Sequence, residues 1–308
     1  MMVANPQQRP GPTEPADSRL GAGSHPVTLP RSEQFALRSR VGRAYRIFVA
    51  WPASPPPAEG FGVIYLLDAN ATFGTMVEAM RMQSRHPGAT GVAPALIVGI
   101  GYPTEEPFDV ERRTYDLTPA AKGGQPGALA TGGAAEMLDF IADEVMPVIE
   151  RRFTTDGARR ALVGHSFGGL FVLHALFNRP ALFSAYLAAS PSIWWQERAI
   201  LDHERRFYVR GQMTDRVPKV AIMVGELEQV AEPAFPEAGS RRAADLAARR
   251  MVDNARDMAG RLAAFGLRVQ FSVLAGETHP SSLPIAINRA LRLLSEPVPG
   301  GVEASEAT

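Results

Sequence analysis

The stretch Ala161-Leu162-Val163-Gly164-His165-Ser166-Phe167-Gly168-Gly169 decides how the rest of the chain is read. It opens as a short apolar strand, passes through a G-x-S-x-G sequence, and leads directly into the helical pattern Leu170, Phe171, Leu173, His174, Phe177. A serine on a sharp strand-to-helix turn is held in strained φ/ψ with its Oγ exposed, and the two glycines give the neighbouring backbone room. The N-terminus of the following helix is aimed at negative charge developing on an attacked carbonyl oxygen. Five-residue patterns recur by chance. The strand before this one and the helix after it are what make Ser166 a candidate nucleophile.

Working outward, residues 62–68, 95–101, 185–190 and 220–225 are nearly continuous apolar runs. Such runs suit strands buried on both faces of a mainly parallel sheet. Residues 45–51 alternate instead, with Ile47, Val49 and Trp51 on one face, and Leu267, Val269, Phe271 and Val273 alternate again late in the chain. Leu138, Ile141, Ala142, Val145 and Ile149 follow helical spacing, with Pro147 expected to kink that helix or mark a break. Another helix is expected to start with Ser240 as N-cap, run through an Ala/Arg-rich segment and stop near Gly266. Alternating strands and helices predict an α/β fold, a mainly parallel central sheet with helices on both faces. No linker-like stretch interrupts 31–295, which is expected to form a single domain. Residues 1–30, with Pro6, Pro10, Pro12, Pro15, Pro26 and Pro30 among polar residues, are expected to be a disordered leader, and 296–308 a loose tail.

A serine hydroxyl needs a base, and the base needs an orienting carboxylate. In folds built around this turn the chain order is serine, acid, histidine, with both partners on loops after later strands. His25 lies in the leader, His86 precedes the turn, His165 is within it, His174 falls on the following helix, and His203 precedes the strand assigned to the acid. His279 alone follows a late strand. For the acid, the run 220–225 ends in Gly225-Glu226-Leu227-Glu228. Both glutamates stand at the correct sheet edge; Glu228 is taken as the acid because carboxylates at that distance past the strand glycine recur in this fold, and Glu226 stays open as the alternative. Two backbone donors must share the oxyanion. Phe167 supplies one, and the loop Leu67-Asp68-Ala69-Asn70 after an early strand supplies the other from Ala69 or Asn70, with Asn70 preferred; Asp68 and Asn70 also suit an Asx-type turn.

The composition mostly excludes. In 308 residues, 32 Lys+Arg balance 32 Asp+Glu, which leaves no general attraction for nucleic acid or an anionic membrane. Of the basic residues only Lys122 and Lys219 are lysine, which reads as an arginine bias rather than as function. The absence of cysteine removes disulfides, thiolate metal sites and cysteine nucleophiles. The scattered histidines include no H-E-x-x-H or H-x-H spacing, and no strand is followed by G-x-G-x-x-G. No metal, cofactor, nucleic acid or membrane partner is expected. With neither a signal-like leader nor an apolar run near the ~20 residues that span a bilayer, a soluble cytoplasmic protein is expected.

The chain also resembles a known group, the esterase-D-like branch of the α/β-hydrolases, and within it the siderophore esterases that open trilactones such as enterobactin and bacillibactin. The resemblance is carried by YLLDANATF (65–73), RTYDLTP (113–119), GGAAEMLDFIADEVMPVIERRF (132–153), VGHSFGG (163–169), SPSIWW (190–195), VGELE (224–228) and His279. It implies an α/β-hydrolase fold and serine-dependent ester hydrolysis with Ser166 as nucleophile and His279 as base, and makes 190–195 the loop beside the substrate cleft. Ala69 departs from the glycine frequent there in the group, with little effect expected on a backbone donor. Trp194 and Trp195 are candidates to stack on an aromatic acyl group such as a catecholate, with Arg112 or Arg113, preferably Arg113, offsetting its charge; core tryptophans and surface arginines are the bland alternatives. The Gly/Ala stretch 120–133 reads as a flap or a disordered loop. Acyl transfer to another acceptor, as in mycolyl transferases of similar fold, and a non-catalytic ligand-binding role are the rival readings.

Overall fold

Strands that are apolar on both faces must be covered on both, and this requirement organises the chain. The computed structural model describes residues 26–120, 129–211, 217–229 and 241–294. Its strands are β1 Ser32–Arg38, β2 Ala44–Ala50, β3 Phe61–Leu67, β4 Ala95–Gly101, β5 Thr155–His165, β6 Ala185–Ala189, β7 Lys219–Gly225 and β8 Arg268–Leu274. They form one eight-stranded sheet in the order β1-β2-β4-β3-β5-β6-β7-β8. Strand β2 runs antiparallel to both of its neighbours, and every other pairing outside it is parallel. The expected mainly parallel sheet is therefore present, and β5, which leads into Ser166, lies near its centre.

Every residue of β3, β4 and β6 is buried. On one face Tyr65, Val98, Leu162, Tyr186 and Ile222 join a cluster with the helix Phe167–Asn178. Their chain neighbours Ile64, Ile97, Val163, Leu187 and Met223 are equally buried and, by the period of a strand, point the other way. There the helices Ala69–Gln83 and Ser282–Ala290 pack against each other and the sheet. Helices thus cover both faces.

Three local features differ from the sequence reading. Strand β1 was not anticipated, because SEQFALR sets three apolar residues in a row and blurs the alternation of an edge strand. The helix expected to kink or break at Pro147 passes from Ala134–Phe140 through a π-turn at Ile141–Val145, which was not anticipated, into Met146–Arg152, so the break comes just before Pro147 in the first turn of the last piece. The wider turn absorbs the missing proline N–H. The helix expected from Ser240 to near Gly266 is two, Arg241–Arg249 and Met251–Ala264, broken where Arg250 adopts φ 47°, ψ 47°. Gln229 supplies a reason for the break: its Oε1 accepts the Asp253 N–H at 2.9 Å and its Nε2 donates to Asp253 Oδ2 at 2.8 Å, so the second helix is capped from outside.

Ser240, the core of the 120–133 stretch (121–128), the tail 296–308 and all but 26–30 of the leader lie outside the described residues. No helix among the described residues is long and apolar enough to cross a membrane.

Buried histidines give the fold a pH dependence. His174, on the Phe167–Asn178 helix, and His203 meet ring to ring at 4.9 Å, with Asn178 Nδ2 3.3 Å and 3.1 Å from their Nδ1 atoms. Burial first, then the neighbouring His203 and Arg206, push His174 down to about 3; burial and then Arg206 push His203 to about 4. The folded state therefore stays neutral at a pH where the unfolded chain, titrating at 6.5, takes up protons. Stability is full above that value and is lost as pH falls toward the folded values, at up to about 1.4 kcal/mol per pH unit for the fully buried His174. Urea denaturation between pH 7 and pH 4 should show the midpoint falling, and His174→Gln should flatten the slope.

Candidate active site

Ser166 follows β5 with φ 60°, ψ −117°, and is the N-cap residue of the helix Phe167–Asn178. A non-glycine residue there carries about 1–3 kcal/mol of strain, which the surroundings must hold. The Ser166 N–H donates to Ala189 O at 3.0 Å, and its carbonyl accepts from Leu170 N at 3.0 Å and Ser192 N at 3.2 Å. The turn is thus tied both to its own helix and to the loop after β6. A Cβ on Gly164 would lie 2.4 Å from Gly168 O, and one on Gly169 would lie 2.7 Å from Ala189 O. The crowded glycines are therefore 164 and 169, whereas at Gly168 a Cβ would meet nothing nearer than Asp68 Oδ2 at 3.4 Å.

Glu228 and His279 are brought together by two loops at the ends of β7 and β8. His279 Nδ1 is 2.6 Å from Glu228 Oε2, so Nδ1–H donates to the carboxylate and Nε2 is left to take a proton. Glu228 is almost fully buried, and its other oxygen accepts from Ser190 Oγ at 2.5 Å and Gly225 N at 2.7 Å. Burial alone would raise its pKa, but the His279 bond and charge, helped by Ser190 and Gly225, hold it below the usual carboxylate range. Glu226 is exposed and accepts from Gly276 N at 2.8 Å, while Leu227 N donates to Glu277 O at 2.9 Å. It latches the histidine loop to the glutamate loop. Gly225 permits that closeness, since a Cβ on it would lie 2.4 Å from Glu277 O.

Behind the pair, the His279 carbonyl accepts from Ser282 Oγ and from His165 Nε2, each at 2.9 Å. His165 is pushed down to about 3 by burial and by the adjacent His279, so it is a neutral donor here. Ser282 Oγ also lies 3.0 Å from Ser190 Oγ. Ser190 and Ser282, which sequence reasoning missed, thus join the support of Glu228 and His279. Ser190 acts on Glu228, 38 residues away, and Ser282, although only three residues past His279, bonds to a backbone carbonyl that no side-chain pattern marks.

Ser166, Phe167, Ser192, Trp194, Glu228 and His279 line one cleft of about 400 Å³, completed by Asp245, Leu246 and Arg249 of the helix Arg241–Arg249 and by Met251 and Pro280. Ser166 Oγ is 3.4 Å from Ser192 Oγ. Two expected substrate contacts are elsewhere. Trp195 is 6% exposed and belongs to the core, because Trp194 and Trp195 open a helical turn, in which adjacent side chains point different ways. Arg113 is committed to a bidentate ion pair with Asp68, 2.9 Å for each bond; Asp68 is buried and Arg113 partly so. Its guanidinium is spent on holding the turn before the Ala69–Gln83 helix, where Asp68 takes φ 52°. Arg112 is likewise internal, over the Tyr45 and Tyr102 rings and bonded to Ala44 O. Asn70 uses its side chain to grip the loop after β4, accepting from Tyr102 N at 2.8 Å and donating to Tyr102 O and Thr104 O. Its backbone N–H lies in the first helical turn, where no intrahelical acceptor exists. Neither Ala69 nor Asn70 is among the residues lining the cleft; Asp68 reaches the Ser166 helix at Gly168. Among the described residues no cluster of three or more His, Asp or Glu could hold a metal ion.

Known proteins share this arrangement of sequence and fold. A family model described as a putative esterase matches residues 39–255. The chain is 40% identical over 291 residues to the ferri-bacillibactin esterase of Bacillus subtilis, spanning 91% of this chain and 95% of that protein. It is 37% identical over 302 residues to the siderophore triacetylfusarinine C esterase of Aspergillus fumigatus, spanning 91% and 98%. The solved structure of the siderophore hydrolase EstB from Aspergillus nidulans superposes with a TM-score of 0.80 at 36% identity, covering 89% of this chain and 98% of that one.

The crowding at the turn is open to test. Gly164→Ala should lower the unfolding free energy by more than about 1 kcal/mol, since the new methyl meets backbone that cannot move aside. Gly168→Ala should cost clearly less, and paired urea denaturations would measure the difference.

Proposed function

This chain belongs to the putative esterase family and is an esterase of the α/β-hydrolase fold, and from that premise we propose that it hydrolyses a siderophore ester through a serine acyl-enzyme. The observation that carries the mechanism is the 2.6 Å bond between Glu228 and His279 in the cleft that also holds the strained Ser166. His279 Nε2 takes the Ser166 proton as Oγ attacks the ester carbonyl carbon. The Phe167 backbone N–H and a second backbone donor from the loop after β3, at Ala69 or Asn70, hold the resulting oxyanion. As that intermediate collapses, the carbonyl carbon to alcohol oxygen bond breaks and His279 returns its proton to the leaving alcohol. Water, deprotonated by the same histidine, then attacks the acyl-serine and releases the acid and Ser166. Glu228 stays ionised throughout, fixing the imidazole and stabilising its charged form.

The siderophore class is supported by the relatives' names, which attach esterase activity to ferri-bacillibactin and to triacetylfusarinine C. A 400 Å³ cleft walled by Trp194, Leu246 and Met251 suits part of such a ligand rather than all of it.

A fluorophosphonate probe should label the wild type and not Ser166→Ala, and p-nitrophenyl ester turnover should vanish in the same variant; labelling that survives the substitution would remove Ser166 from the mechanism. Glu228→Gln should reduce kcat by on the order of 10³-fold or more. Glu226→Gln keeps an acceptor for Gly276 and should change kcat little, so a full loss there alone would transfer the acid's role. A ferric trilactone siderophore should be cleaved with a higher kcat/KM than simple aryl esters, and the reverse order would sink the substrate class.

A further inference from the structure

Charge in the cleft is distributed in a way the mechanism does not use. Of the ionisable groups lining it, Glu228 and His279 are engaged with each other. The remaining two, Asp245 and Arg249, stand one turn apart on the helix Arg241–Arg249. The Arg249 guanidinium carbon lies over the Trp194 ring, 4.6 Å from its centre, and among the described residues it has no carboxylate partner. This sets it apart from Arg112 and Arg113, whose guanidinium groups are bound to Asp116 and Asp68.

An arginine held by a ring face keeps its N–H donors, because the cation–π attraction acts through the face while the five donors project from the guanidinium edge. Trp194 is therefore a seat that restrains Arg249 without consuming its hydrogen-bonding capacity. A substrate group with anionic oxygens, bound in the cleft beside Ser166, would meet a pre-positioned planar fork. We infer that the Trp194–Arg249 pair is the specificity subsite of this cleft, selecting esters whose acyl part carries anionic oxygens. The inference rests on the esterase reading and assigns to Arg249 the cationic role that the sequence alone suggested for Arg113. Asp245 opposes it: its carboxylate in the same cleft repels an anionic acyl group, so the two residues set selectivity in opposite directions.

The test compares two p-nitrophenyl esters of similar length, the monoglutarate, which carries a carboxylate, and the neutral valerate. Arg249→Gln should lower the glutarate-to-valerate ratio of kcat/KM tenfold or more, mainly through KM, whereas Asp245→Asn should raise it. Added salt should lower the ratio in the wild type and not lower it in Arg249→Gln, where only the Asp245 repulsion is left to be screened. Arg249 and Asp245 are exposed, so loss of folding is not the expected cause of either change. If turnover depends on Ser166 but Arg249→Gln leaves the ratio within twofold, or lowers both esters equally, the subsite is wrong and the esterase reading stands. If the wild type neither labels with fluorophosphonate nor turns over either ester, both fall.

Discussion

A serine cannot sit at φ 60°, ψ −117° unless its neighbours hold it there, and much of the site's construction follows from that constraint. The strand β5 delivers the chain to the turn and the helix Phe167–Asn178 takes it away; Gly164 vacates the space in which the two would collide, and Gly169 the space in which the helix would meet the end of β6. The end of β6 completes the restraint, since Ala189 O accepts from Ser166 N and the next residues supply Ser190 and Ser192. The strain at Ser166 is thus offset by parallel-sheet pairing and core burial on either side of it.

Glu228 and His279, the proposed acid and base, are held by a second set of restraints. Three contacts join the loop after β7 to the loop after β8: Glu226 to Gly276, Leu227 to Glu277 and Glu228 to His279. Buried hydroxyls and the neutral His165 satisfy what remains of the Glu228 carboxylate and the His279 carbonyl. A buried carboxylate remains ionised only with such partners. On the far side of the turn, Arg113 and the buried Asp68 form another ion pair, which anchors the start of the Ala69–Gln83 helix against the Ser166 helix. The RTYDLTP segment that helped mark the family resemblance is in this sense part of the framework, not part of the cleft lining.

The cleft wall depends on a break that no propensity announces. Gln229 caps Met251–Ala264 from the neighbouring loop and Arg250 is left-handed, so Arg241–Arg249 ends as a separate helix, and its Leu246 and Arg249 reach the cleft. The residue following Glu228 therefore also helps shape the wall of the cleft that holds Ser166.

How much of this was legible in the sequence follows from the range of the forces involved. The apolar runs of β3, β4 and β6, the turn at Ser166 and the loop positions of Glu228 and His279 are local patterns, set by side-chain period and by the chemistry of short segments, and they could be read along the chain. Local signals were weaker at the edge strand β1 and at Pro147, where irregular spacing admits more than one outcome. Which arginine faces the cleft, which of two adjacent tryptophans enters the core, and which serines support Glu228 are different questions. They depend on where side chains distant in sequence come to lie, on burial that makes Arg113 pair with Asp68, and on a turn that parts Trp194 from Trp195. Chain order and composition therefore determined the fold class and nominated the nucleophile, acid and base, while only the tertiary structure decided which charges were neutralised internally and which were left facing the cleft, because desolvation and pairing are properties of assembled surroundings.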